Sequence, residues 1–186
     1  MLITSEFDVA VPPGRVWEFF GDIPRVAACL PGAELADSLG EDKYAGQVAI
    51  RMGPVRLQFT GTAEITERDE AAHRVVVHAS GADARGRGQA AMVVSATVTG
   101  SGSGTRVEVT QDLQLSGAAA QYGRGMISDV SSVLMRDFAA NMSTSITGGT
   151  VSAAPAQGFS VAVRAAMLAL RRVFRRFFAP YQPRSA

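Results

Sequence analysis

The sequence predicts an α+β fold, a curved antiparallel sheet wrapped around one long C-terminal helix. Two short helices sit near the N-terminus, and a separate amphipathic helix occupies the C-terminal tail. Three observations carry this reading. Apolar and polar residues alternate through five successive segments between Tyr44 and Leu115, the period of strands with one buried face. A helical stripe then replaces the alternation after Gly117. A single sheet with one long helix can bury its apolar face only by closing around that helix.

Taken in order, Leu2–Val11 alternates loosely and stops at Pro12-Pro13, as a first strand would. PPGRVWEFFGDI reads as a short helix opened by proline, with Val16, Phe19 and Phe20 on its apolar side. RVAACLPG reads as a second, stopped by Pro31-Gly32. In YAGQVAIRM, Tyr44, Gly46, Val48, Ile50 and Met52 share one face. Gly53-Pro54 turns the chain into VRLQFTGTAEI, where Val55, Leu57, Phe59, Gly61, Ala63 and Ile65 share the next. RVVVHAS, QAAMVVSATV and RVEVTQDLQL continue the series, with turns at ARGRG and GSGSGT. Such closely spaced strands form a meander.

From about Ala118 to Thr144 one helix is expected, its stripe made by Tyr122, Met126, Ile127, Val130, Leu134, Phe138 and Met142. Gly123 and Gly125 fall in its first turns, where each costs about 1 kcal/mol against alanine. Gly148-Gly149 ends it. The domain is therefore residues 1–148, followed by a Ser/Ala/Pro/Gly linker over 149–158 and a tail over 159–186.

A chain of 186 residues with 47% hydrophobic and 19% charged residues is ordinary globular composition. Its net charge of +1 hides an asymmetry. The tail holds six arginines and no acid, which leaves 12 cations against 17 acids, a net of −5, in the first 158 residues. An acidic body with a cationic tail suggests two different partners. Cys29 stands alone, so no internal disulfide forms and a reducing compartment is allowed. The opening MLITSEFD has neither region of a signal peptide, and no uncharged apolar run approaches the roughly 20 residues of a bilayer crossing. A cytoplasmic location is expected.

In the tail, Arg164, Arg171, Arg172, Arg175 and Arg176 fall within an arc of about 140° at helical spacing. Val163, Met167, Leu170, Val173, Phe174, Phe177 and Phe178 cover the other side, and Pro180 ends the helix. A basic amphipathic helix lies in the membrane interface without crossing it. Each arginine near an anionic surface contributes on the order of 1 kcal/mol, so the attachment is reversible and salt-sensitive. Two readings compete: the tail docking in a groove on a protein partner, and nucleic-acid binding, which is set aside because basic residues without base-reading groups are a poor signal, so no nucleic-acid partner is expected.

Catalytic chemistry is not legible. His73 and His78 are five apart in an expected strand, on opposite faces, and cannot share a metal. Cys29 has no local activating base. Glu67, Asp69 and Glu70 cluster in a turn. GADARGRGQ lacks the ending of a phosphate-binding loop and leads into a strand. No catalytic residue and no metal ligand is proposed, and the chain reads as a non-enzyme.

FDVAVPPGRVWEFFGDIPRVAACLPGAE, MGPVRLQFTGTAEI and the closing helix resemble the SRPBCC superfamily of START and Bet v 1-like helix-grip domains. Within it the chain resembles the family of the G subunit of carbon monoxide dehydrogenase, over roughly residues 2–148. CLPGAE after a helix containing Val16-Trp17 is the most specific of these features. The resemblance implies an apolar cavity between sheet and helix and usually no catalysis. It also implies association with a molybdenum hydroxylase of the carbon monoxide dehydrogenase type, recruitment of that enzyme to the cytoplasmic face of the membrane, and handling of menaquinone or another isoprenoid quinone or lipid. A ligand-free membrane anchor and a cyclase or hydrolase of the same superfamily are the alternatives.

The residues bear on the cavity independently. Gly46, Gly61, Ala63, Ala79, Ala90 and Ala96 stand on the inner face where a filled core would use Leu, Ile or Phe. Small residues facing a helix leave either a tight approach or a void. An apolar pocket is expected, lined by Tyr44, Val48, Ile50, Leu57, Phe59, Met92, Val94, Met126, Val130 and Leu134. Gln111 is the one clearly polar residue of that face, and its amide needs a partner, either backbone and water or the carbonyl of a bound quinone.

Overall fold

The computed structural model describes residues 1–52 and 55–149. The Gly53-Pro54 turn, the linker from Thr150 and the tail, with Arg164 through Phe178, lie outside the described residues.

Seven strands form one antiparallel sheet. They are β1 (Leu2–Val9), β2 (Ala33–Gly40), β3 (Lys43–Met52), β4 (Val55–Asp69), β5 (Arg74–Asp83), β6 (Gln89–Ser101) and β7 (Gly104–Leu115). The spatial order is β1-β7-β6-β5-β4-β3-β2. Strands β2 to β7 are thus a meander, and β1 closes onto β7 with Leu2 opposite Asp112 and Val9 opposite Thr105. Helices α1 (Pro13–Gly21) and α2 (Ile23–Cys29) link β1 to β2. The long helix α3 (Arg124–Ile146) follows a 3-10 turn at Gly117–Gln121. Inner-face residues of β3 through β7 and one side of α3 converge on a single space, so the sheet wraps around the helix.

Local chemistry explains the helix ends. Pro13 opens α1, and the Asp22 carboxylate accepts from the Arg25 N–H at 3.1 Å to cap α2. Gly148, at φ 89°, terminates α3: its N–H donates to the Ser145 carbonyl and that of Gly149 to the Thr144 carbonyl at 2.8 Å. Both bonds belong to a Schellman motif. Arg15 from α1 and Arg25 from α2 donate to the Ile146 and Ser145 carbonyls, each at 3.0 Å. Cations at a helix C-terminus oppose its negative dipole end, so α3 is held firmly at that end.

Two expectations are corrected here. The sequence pattern does not reveal β2, because AELADSLG is an edge strand whose residues are nearly all exposed and whose pairing with β3 is irregular. No alternation marks such a strand. The long helix begins at Arg124, not near Ala118. Tyr122 is extended and Gly123 occupies the N-cap, so Gly123 avoids the interior penalty that the sequence suggests.

The core divides in two. One cluster joins α1, α2 and the C-terminal half of α3 to β1, β6 and β7, and includes Val16, Phe19, Val107, Phe138 and Met142. A smaller one joins Leu57, Phe59, Ala119 and Val130 around the start of α3. The space between them is not filled.

Candidate ligand-binding cavity

That space has a volume of about 440 Å³, within the roughly 300–1,000 Å³ of small-molecule sites. Strand β3 contributes Tyr44, Val48 and Ile50 to its wall, and β4 contributes Leu57 and Phe59. Met92 and Val94 come from β6, Gln111 from β7, and Val130 and Leu134 from α3. The structure thus brings together all the residues singled out from sequence except Met126. That side chain is 45% exposed and is not part of the lining. Because α3 starts only at Arg124, the inward side of its first turn is marked by Ile127, and the wall continues through Ser131 and Met135.

Sequence reasoning missed a second wall. Ile23, Val26, Ala27 and Leu30 of α2 and its exit line the cavity at i, i+3, i+4, i+7 spacing. That periodicity is a usable signal. Val75 and Val77 of β5 and Leu35 of β2 also take part.

The floor is made by side chains that are absent. Gly46 pairs with Gly61, Gly61 with Gly81, and Gly81 with Ala90 across four strands. A Cβ on Gly61 would lie 1.9 Å from the Ser80 carbonyl oxygen, and one on Gly46 would lie 2.7 Å from that of Glu34. Glycine is therefore required by the close approach of neighbouring backbones. The void above the sheet is a further consequence, so tight approach and void occur together.

Polar groups on the inner face are few. The Gln111 side chain is 6% exposed; its Oε1 accepts from the Ser131 hydroxyl at 3.1 Å, and its Nε2 has no partner among the described residues. Asp83 also falls on the inner face, at the end of β5, a charge that the alternation of the sequence does not single out. Its carboxylate accepts from Nε and Nη2 of Arg87, both at 2.8 Å, and from the N–H groups of Gln58, Arg85 and Arg87. The bonds from Arg87, helped by those backbone donors, hold its carboxyl far below the usual carboxylate range. Asp83 locks the β5–β6 turn and does not line the cavity.

The remaining candidates are structural. His73 lies in the β4–β5 turn at φ 45° and stacks on Trp17 with ring centroids 5.2 Å apart. His78 points from the other side of the sheet opposite Glu64. Glu70 accepts from the Trp17 indole at 2.5 Å and Asp69 caps the turn at Ala71 and Ala72. Burial pushes the Cys29 thiol up, away from the thiolate form. Among the described residues no cluster of His, Cys, Asp or Glu could hold a metal, and no helix is long and apolar enough to cross a membrane.

Sheet, helix and cavity define a helix-grip domain with an apolar interior site. Solved structures share this fold. A conserved protein from Geobacillus kaustophilus is similar with a TM-score of 0.71 at 20% identity, over 79% of this chain and 95% of that one. The Zhui aromatase/cyclase from Streptomyces sp. R1128 is similar at 0.57 and 15% identity, over 81% and 99%. Ara h 8.0201 is similar at 0.53 and 15%, over 80% and 99%. No curated protein matches the chain. The family model for the G subunit of carbon monoxide dehydrogenase (CoxG) matches residues 5–147, and the chain belongs to that family.

Proposed function

We propose that this protein is a non-catalytic carrier of a hydrophobic ligand, menaquinone or a similar isoprenoid quinone or lipid. On this reading it attaches to the cytoplasmic face of the membrane and serves a molybdenum hydroxylase of the carbon monoxide dehydrogenase type. The observation that carries the proposal is the cavity of about 440 Å³ in a chain of the CoxG family, walled by residues such as Val48, Phe59, Met92 and Val130. An apolar interior solvates a prenylated molecule that water rejects, so reducing equivalents pass between enzyme and membrane pool while the partner performs the chemistry. The arginine-rich pattern of Arg164 to Arg176, interleaved with Met167, Leu170, Phe174, Phe177 and Phe178, supports membrane attachment.

Delipidated protein titrated with menaquinone is expected to bind saturably at one equivalent, and Phe59→Trp with Met92→Trp should abolish binding by filling the space. Binding that survives both substitutions would place the ligand elsewhere. Sedimentation with anionic vesicles tests the tail: truncation after Gly158 should abolish association, and association that persists would assign it to the body.

A second reading follows from the aromatase/cyclase likeness, since this fold also houses an enzyme. It requires polar groups converging on a substrate, whereas here the buried polar side chains of the wall are Gln111 and Ser131.

A further inference from the structure

We infer that Gln111, oriented by Ser131, is the point in the cavity that recognises the head of the ligand, and that it selects neutral molecules carrying a carbonyl over fatty-acid anions and over bare hydrocarbons. The inference rests on the reading of the cavity as a ligand site and adds its specificity. Gln111 projects from β7, where it pairs with Val94 of β6 and Ile3 of β1. The Ser131 hydroxyl, itself 9% exposed, donates to Oε1 across the gap between α3 and the sheet. This fixes the amide and leaves Nε2, itself buried, without an acceptor among the described residues. Buried donors are nearly always satisfied. An orphan on a residue that lines a cavity marks where an acceptor belongs, and a quinone, ketone or ester oxygen is an acceptor without charge.

The same wall is unsuited to an anion. Among the described residues, none of those lining the cavity is Lys, Arg or His. Of its acids, Glu34 accepts from Gln47, Glu64 pairs with Lys43 at 3.0 Å, and Asp42 is exposed in the turn between β2 and β3. A carboxylate inside would meet no cation to offset its desolvation, whereas its ester would meet the Gln111 donors.

The test is a titration of delipidated full-length protein with a short-chain menaquinone, an isoprenoid hydrocarbon without oxygen, oleate and methyl oleate. It is repeated on Gln111→Leu. The wild type should bind menaquinone and methyl oleate about tenfold more tightly than Gln111→Leu does, the value of roughly one hydrogen bond, while hydrocarbon affinity stays level or rises. Oleate should bind the wild type at least about tenfold more weakly than its ester at neutral pH. Thermal unfolding without ligand should show Gln111→Leu folded, because the unsatisfied donor is removed together with the acceptor of the Ser131 hydroxyl and the two effects offset. Equal menaquinone affinities in a folded Gln111→Leu would overturn the inference and assign the amide to bound water, leaving the carrier reading intact. Oleate binding as tightly as its ester would also overturn it. If the wild type binds none of the four, the carrier reading fails as well.

Discussion

The two ends of the interior are built from the same kinds of strand and helix, yet one is packed solid and the other is hollow. At the packed end, Val16, Phe19 and Met142 are at most 1% exposed and interlock between α1, α3 and the sheet. Arg15 and Arg25 tie the C-terminus of α3 to that end. Toward the other end, the row Gly46, Gly61, Gly81 and Ala90 brings no bulk to meet the helix, and α3 begins at a glycine N-cap without a side-chain cap. Stability and vacancy are therefore assigned to different residues. The packed end supplies the burial that lets the hollow end remain open.

The largest expected effect breaks the packed end. Phe19→Ala should lose about 3–5 kcal/mol in chemical denaturation, while Met92→Ala in the cavity wall should lose about 1 kcal/mol. Equal losses would mean that no division of labour exists.

Gly61→Ala probes the floor. Alanine normally stabilises a strand relative to glycine by about 0.5–1 kcal/mol, but here its Cβ lands on the Ser80 carbonyl. A loss of about 1–3 kcal/mol is expected by thermal unfolding. A gain would show that the strands part easily.

Asp83 tests whether the rim depends on its charge. Because its folded pKa is depressed, its ionised form stabilises the fold above the ordinary aspartate value of about 4. That contribution disappears as pH falls through the lower folded value. Stability of the wild type relative to Asp83→Asn should therefore be constant at neutral pH and shrink on acidification below about 4. An unchanged difference would remove the Arg87 lock from the account.

The smallest effect is a gain. A Cβ on Gly14, in the first turn of α1, meets nothing within 4 Å. Gly14→Ala should add about 0.5 kcal/mol by restricting the unfolded chain.

The inner face is legible because alternation is a local property: Tyr44, Val48, Leu57, Phe59, Met92 and Val94 can be placed from period alone, and all of them line the cavity. Edge strand β2 is not legible, since exposed positions carry no pattern. Met126 is misplaced by its spacing because the apolar stripe runs from Tyr122 into Met126, whereas the helical backbone begins only at Arg124.

By itself, the sequence determined which side chains of β3 to β7 face inward and how α3 ends, because these follow from residues a few positions apart. Only the tertiary structure decided that the glycine row sits under an empty volume. It also decided that Ser131 occupies one side of the Gln111 amide and leaves the other bare. Both outcomes depend on how sheet and helix pack together, which residues far apart in the sequence decide jointly.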